Sequence, residues 1–269
     1  MLILMKLSLI TINYNNKIGF KQTVESVIGQ TWKEFEYIII DGGSTDGSVD
    51  VIKEYENQIN FWVSEPDKGI YNAMNKGLQV AKGEYVMFLN SGDYLYNVTT
   101  LNLFSEYLSG TDIVYGDVMK IFSDDRKEIQ RYENPISMSA FLERSQHLCH
   151  QAVLMSRIAI NKAGGFDENY RIVSDWKLFA IAMFKNGATV KYVGVIISGF
   201  DMQGVSQSPQ SKLMIDEEHR QVLKTEFPFF YADFIAYSKI GCSYYEVMNS
   251  KLIRNFMKLR LTFIQLLKK

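Results

Sequence analysis

Glu84-Tyr85-Val86-Met87-Phe88-Leu89-Asn90-Ser91-Gly92-Asp93 decides the fold. Its apolar half is too short for a helix and is rich in β-branched and aromatic residues, so it reads as a buried strand. Its polar half stops the strand with turn formers. The same design occurs twice upstream. Leu7-Ser8-Leu9-Ile10-Thr11-Ile12 runs into Asn13-Tyr14-Asn15-Asn16, and Phe35-Glu36-Tyr37-Ile38-Ile39-Ile40 runs into Asp41-Gly42-Gly43-Ser44-Thr45-Asp46-Gly47-Ser48. Between them lie helical patterns: Phe20, Val24, Val27 and Ile28, capped by Asn15 or Asn16, then Val49 to Tyr55, and Gly69 to Ala81 with Ile70, Met74 and Leu78 on one face. Phe61-Trp62-Val63 adds a short strand. Strands alternating with helices predict an α/β chain with a doubly wound, Rossmann-like, mostly parallel sheet. Ligands of such sheets sit at the carboxyl ends of the strands, which lines up Asn13, Asp41 and Asp93 along one crevice.

The second half predicts a hairpin from 112–119 and 128–132, a strand over 152–155, a helix over 174–184 and a strand over 189–195. From Ser211 onward the pattern is helical, so residues 1–210 read as one α/β domain and 211–269 as a helical extension.

Composition narrows the function classes. The chain has 269 residues, 47% hydrophobic and 22% charged, with a formal net charge of −1. That balance is globular and lacks the basic footprint of a nucleic-acid binder. Two cysteines, Cys149 and Cys242, form neither a disulfide framework nor a zinc pattern and predict reduced thiols in a cytoplasmic protein. The start, Met1-Leu2-Ile3-Leu4-Met5-Lys6, reads as lead-in to a strand rather than a signal peptide. No apolar run reaches the roughly 18 residues of a membrane span. The tail from Lys251 to Lys269 is basic and apolar at helical spacing. It fits attachment to an anionic membrane surface, docking on its own domain, or packing in a homodimer.

Carboxylates dominate the candidate chemistry. Asp41, ahead of two glycines, suits recognition of a base or ribose, or serves the turn alone. Asp93 suits a hard cation shared with substrate phosphates, or again a turn. Asp46 suits a helix cap. Asp175, at a helix start beside Trp176, suits a general base or a partner for the helix dipole. His150 and Gln151 suit an acceptor contact or a satisfied core position. No GxGxxG, GxxxxGK[ST] or GxSxG occurs, which sets aside dinucleotide, P-loop and serine-hydrolase chemistry.

Together these segments resemble family 2 of the nucleotide-sugar glycosyltransferases, which have the GT-A fold. The resemblance is carried by 9–15, Ser26-Val27-Ile28-Gly29-Gln30-Thr31, 40–48, Glu65-Pro66-Asp67-Lys68-Gly69-Ile70-Tyr71-Asn72-Ala73-Met74-Asn75-Lys76-Gly77 and 81–93. Thinner support comes from His150-Gln151, Gly164-Gly165-Phe166-Asp167, Ser174-Asp175-Trp176 and Gly204-Val205-Ser206. It implies an inverting enzyme that moves a sugar from a UDP-sugar to a saccharide or lipid-linked saccharide in bacterial surface polysaccharide assembly, with Mn2+ or Mg2+ as cofactor. Donor contacts would come from Thr11, Asn13, Asp41, Asp67, Asn75, Ser91 and Gly92. Asp93 would hold the metal, Asp175 would be the base, and His150, Gln151 and Trp176 would face the acceptor. The family's metal loop is commonly Asp-x-Asp, yet here only Asp93 is acidic, so either metal affinity is low or a second ligand comes from elsewhere. Two rivals stand beside this reading. A nucleotidyltransferase would carry a glycine-rich basic loop after the first strand, where Asn13-Tyr14-Asn15-Asn16 stands. A non-catalytic nucleotide-sugar-binding scaffold of the same fold would fit the missing aspartate.

Overall fold

A computed structural model describes residues 5–142, 147–202, 204, 209–233 and 235–236. The tail from Lys251 onward lies outside the described residues, as do Cys242, Val205 and Ser206. The chain divides into two compact units, residues 1–218 and 219–269.

The first unit is built on a nine-stranded sheet. β1 (Leu7–Asn13), β2 (Phe35–Asp41), β3 (Phe61–Ser64) and β4 (Tyr85–Phe88) form its parallel half in the order β3-β2-β1-β4. The sheet continues through β8 (Val153–Ser156), β6 (Ile113–Ile121), β9 (Val190–Asp201) and β5 (Tyr94–Leu95), with β7 (Lys127–Gln130) paired to β6. β6 and β9 run in the same direction as the first four strands, and β5, β7 and β8 run against them. Every residue of β1 is buried, as expected of a central parallel strand covered on both faces. Among the described residues no helix is long and apolar enough to cross a membrane.

Helices α1 (Lys17–Ile28), α2 (Ser48–Glu54), α3 (Ile70–Val80) and α4 (Thr100–Ser105) serve the first half. Asn16 caps α1 by accepting the Gly19 N–H. Phe20, Val24 and Val27 of α1 join Leu9, Ile39, Met87 and Leu89 in the core. Burying each such side chain contributes roughly 1.5–3 kcal/mol. Later come α5 (Met138–Leu142), α6 (Arg157–Ala163), α7 (Ser174–Ala180) and α8 (Pro209–Glu226).

Three details differ from the sequence reading. The helix expected over 174–184 is α-helical only to Ala180 and widens into a π-helical turn, Ile181–Lys185. The last strand does not stop near Val195 but continues to Asp201, because pairing with β6 and β5 holds its second half. Asp46 does not occupy the α2 cap position, which is Gly47 in a left-handed conformation. It accepts the N–H groups of Ser48 and of Lys17 instead, joining two helix starts.

Candidate active site

The crevice is assembled at the ends of β1, β2 and β4. Register pairs Asn13 with Asp41, and their side chains bond, Asn13 Nδ2 donating to Asp41 Oδ1 at 2.7 Å. Asp41 is fully buried and also receives the Ser44 hydroxyl and N–H, the Gly43 N–H and the Ser64 hydroxyl. Burial alone would push this carboxyl up, but the bonds from Ser44, Ser64 and Asn13 hold it below its ordinary value. Its oxygens are thus spent on the chain's own donors. Thr11 is likewise turned into the sheet, sharing a hydrogen bond with the Tyr37 hydroxyl.

Gly42 follows Asp41, and a side chain there would stand 2.6 Å from Asp67 Oδ2 and 3.1 Å from the Tyr14 ring. The close approach explains why glycine occupies this position. Asp67 is fixed by the Gly69 N–H at 2.8 Å, and Tyr14 beside it is 66% exposed. Asn75 stands apart from this group. Its amide bonds both polar backbone atoms of Phe166 and the Glu168 carboxylate, clamping α3 to the 166–168 segment.

The 90–93 loop is stitched to α1. Asn16 donates to the Ser91 carbonyl, the Gly92 N–H donates to the Thr23 hydroxyl, and that hydroxyl donates to the Asp93 carbonyl. Further along the same helix Ser26 accepts the Leu95 N–H, and just past its end Gln30 accepts the Leu101 N–H and donates to the Asn97 carbonyl. The polar face of α1 therefore serves as a jig for the segment carrying Asp93. Gly92 takes φ +103°, a left-handed conformation that lets the chain turn Asp93 inward.

Asp93 is buried, and among the described residues its carboxylate makes one hydrogen bond, from the Asp201 N–H at 3.0 Å. Burial pushes its carboxyl up to about 7. The Asp201 N–H and nearby His150 oppose that rise, and the charge of Asp201 adds to it. The Asp201 carboxylate lies beside the same loop, its Oδ2 3.6 Å from where a Cβ on Gly92 would stand. Hard oxygen donors in this number suit Mn2+ or Mg2+, which sit on one or two carboxylates and take their remaining ligands from substrate phosphates and water. Among the described residues no group of three or more His, Cys, Asp or Glu side chains is arranged around a metal position.

Asp175 is the second residue of α7. Its Oδ1 accepts from the Tyr71 hydroxyl at 3.0 Å and the Trp176 N–H at 2.9 Å. Its Oδ2 lies 2.9 Å from His150 Nδ1. Burial alone would raise this carboxyl, but the hydrogen bond and charge of His150, with the Trp176 N–H and Tyr71, hold it below its ordinary value. The single Tyr71 hydroxyl proton is shared between Asp175 Oδ1 and the Ile172 carbonyl, in a turn whose N–H groups are gathered by Glu218. Trp176 itself is buried, its ring stacked on Phe141 at 5.9 Å and its indole N–H given to the Phe141 carbonyl. Gln151 is buried with its amide nitrogen unpartnered among the described residues. Cys149 is buried and its thiol pushed up to about 11, which makes it a poor nucleophile.

The sequence reading missed Tyr14, Tyr71 and Asp201. The two tyrosines stand inside quoted blocks but carry no charge to mark them. Asp201 lay beyond the expected end of its strand, three residues before the Gly204-Val205-Ser206 block.

An α/β domain whose parallel half carries a polar crevice, joined to a mixed half that brings up further carboxylates, defines the GT-A class, and solved structures with this fold agree. The Staphylococcus aureus TarS fragment 1–349 superposes with a TM-score of 0.63 at 18% identity, covering 82% of this chain and 66% of that one. A mannosyltransferase from Pyrobaculum calidifontis, solved with GDP-Man and Mn2+, gives 0.57 at 14% identity, covering 96% and 85%. Residues 8–163 match Glycosyl transferase family 2, and the chain belongs to that family. Its relatives include a PGL/p-HBAD biosynthesis glycosyltransferase of Mycobacterium bovis, 30% identical over 67% of this chain and 71% of that protein. An uncharacterized glycosyltransferase of Mycobacterium tuberculosis is 31% identical over 82% of this chain and 85% of that protein. The chain is thus a glycosyltransferase by family and fold.

Proposed function

We propose that this glycosyltransferase inverts the anomeric centre of a UDP-sugar, hexosyl or N-acetylhexosaminyl in type, in a single displacement onto a saccharide or lipid-linked saccharide. The observation that carries the reading is the opposite tuning of two carboxylates, one buried and one partly exposed: Asp93 is pushed up beside Asp201, while Asp175 is held below its ordinary value by donors on both oxygens. A site that separates its carboxylates in this way assigns them different tasks. The catalytic domain on this reading is residues 1–210, working at the cytoplasmic side of surface polysaccharide assembly. A UDP donor is supported by TarS, solved with UDP and with UDP-GlcNAc.

In the reaction, the acceptor oxygen bonds to the anomeric carbon as its own O–H bond breaks. The proton passes to Asp175 Oδ2, and the bond from the anomeric carbon to the diphosphate breaks with its electron pair leaving on UDP. Asp93 and Asp201 are the residues that would hold the divalent cation, which supplies charge neutralisation for the leaving diphosphate. Asn16, Thr23 and Gly92 hold Asp93 in place before substrate arrives, so little ordering remains to be done at the moment of transfer. Tyr14 offers an exposed ring for the base to stack on, with Asp67 and the Gly42 backbone at its edge. Asp41 and Asn13 form the floor under that pocket and act by shape.

Incubating the full chain with Mn2+ and a panel of UDP- and GDP-sugars, with and without saccharide acceptors, tests the reading. Release of UDP that depends on both metal and acceptor is expected. Binding of UDP without any turnover across the panel would sink it in favour of a scaffold role.

A further inference from the structure

Asp175 is reached from three separate parts of the chain. Tyr71 comes from α3, 104 positions earlier, with its ring stacked on Phe166 at 5.7 Å. The Trp176 N–H comes from the first turn of α7 itself. His150 comes from the 3-10 turn His150–Ala152 that leads into β8, the strand beside β4. β4 leads in turn to Asp93, so the support of Asp175 and the loop of Asp93 hang on neighbouring strands.

The chemistry of this arrangement fixes the roles of the imidazole nitrogens. An ionised carboxylate only accepts, so the 2.9 Å approach of Nδ1 to Oδ2 places a proton on Nδ1. The other ring nitrogen, Nε2, is buried and unpartnered among the described residues. His150 therefore has no exposed polar edge to offer a sugar. A buried, unsatisfied nitrogen is costly, and an apolar residue of similar size would avoid that cost. The imidazole makes sense at this position through what Nδ1 does.

We propose that His150 is a positioning residue for Asp175 rather than a contact for the acceptor: its Nδ1–H holds Oδ2 while the Tyr71 hydroxyl and the Trp176 N–H hold Oδ1, leaving the second lone pair of Oδ2 to receive the acceptor's proton. This rests on the reading of Asp175 as the base. Tyr71 shares the task, which gives the Gly69-Ile70-Tyr71 stretch a function distinct from donor binding.

Variants at His150 separate the two roles. In His150→Asn the side-chain amide keeps an N–H donor near the Nδ1 position, whereas alanine has none and the longer glutamine projects its amide toward Nε2. His150→Ala and His150→Gln are expected to lower kcat about 10- to 100-fold with both KM values unchanged, the loss expected for one hydrogen bond to a charged group. His150→Asn should recover much of that loss. Tyr71→Phe, which keeps the ring stack, should lower kcat in the same way and guards against misfolding of the His150 variants. A rise in acceptor KM with kcat preserved in His150→Ala would overturn the proposal.

Nitrogen-15 NMR of the histidine rings in the full chain reads the pair without turnover. A strongly hydrogen-bonded Nδ1 proton is expected in the wild type, absent from His150→Asn and shifted in Asp175→Asn. A bare Nδ1 in the wild type overturns the proposal. If the wild type shows the Nδ1 signal but transfers no sugar, the proposed function falls while the His150–Asp175 pair stands.

Discussion

Asp93 accepts the backbone N–H of Asp201, 108 positions later in the chain, and the charge of Asp201 helps raise the Asp93 carboxyl. The contact joins the end of β4 to the end of β9, so the parallel half and the mixed half of the sheet each contribute a charge. On the proposed function, it offers a physical answer to the missing first aspartate of the Asn90-Ser91-Gly92-Asp93 loop: the second carboxylate would come from another strand.

Asp93→Asn tests what that charge costs. The Asp93 carboxyl is raised to about 7 in the folded protein, against about 3.9 when unfolded. Between those values the native state holds the extra proton, so stability falls as pH rises and the penalty is complete above 7. The neutral amide should therefore raise the melting temperature of metal-free protein at pH 8, with the gain shrinking toward pH 5. Mn2+ should stabilise the wild type by mass action and leave the variant unmoved. Equal melting temperatures at pH 8 would rule out a strained carboxylate at this position.

Asp201→Asn keeps its backbone N–H, and with it the bond to Asp93, while removing one charge. Mn2+ affinity measured by calorimetry should drop at least about tenfold, the scale on which loss of one ligand-shell partner acts. Unchanged Mn2+ binding would leave Asp93 as the sole protein ligand.

Asp41 predicts the opposite pH behaviour from Asp93. Its folded value is depressed, so its stabilisation is present above about pH 4 and is lost as pH falls through the folded value. Asp41→Asn sets an amide NH2 against a cluster of donors, and each unsatisfied buried group costs about 1–3 kcal/mol. Urea unfolding at pH 7 should show a loss on that scale, and the gap to wild type should narrow in acid. A pH-independent gap would mean that the cost is steric.

Tyr14→Ala should weaken UDP binding by about 1–3 kcal/mol, the usual value of a base on an aromatic face, while Tyr14→Phe should bind as the wild type. A Phe variant as weak as the Ala variant would assign the contact to the hydroxyl instead of the ring.

Much of the fold was legible because β1, β2 and β4 each write a buried strand followed by turn residues, and the expectation of a doubly wound, mostly parallel sheet follows from that repeat, while the GT-A expectation came from the family resemblance. The far end of β9 was not legible. Its residues from Ile196 to Asp201 include Ser198 and Gly199, poor strand formers that are held by β5 and β6. With that end went Asp201. The site was legible only where charge marks it. Sequence spacing gives no hint that Asn75 is a clamp onto Phe166, that Asp41 is saturated by its own loop, or that Tyr71 reaches Asp175, since these are tertiary contacts between distant segments. Ser26 of α1 and Gln30 just beyond it stood in a quoted block, but their work on the 90–101 segment required the packed structure.

Asp175→Asn is the sharpest test of mechanism. Among the described residues, the three groups that hydrogen-bond the carboxylate, His150 Nδ1, the Tyr71 hydroxyl and the Trp176 N–H, are all donors. An amide satisfies them with one oxygen and opposes them with its NH2, so the variant loses both basicity and orientation. Turnover should fall by about 10²–10⁴, the range for removal of a general base. UDP affinity with Mn2+ should hold, because Asp93, Asp201 and Tyr14 belong to other segments. Steady-state kinetics with calorimetry on one preparation gives both numbers. A parallel fall in kcat and in UDP affinity would place Asp175 in the donor pocket and remove it as the base, whereas transfer at the wild-type rate would send the search for the base to another residue.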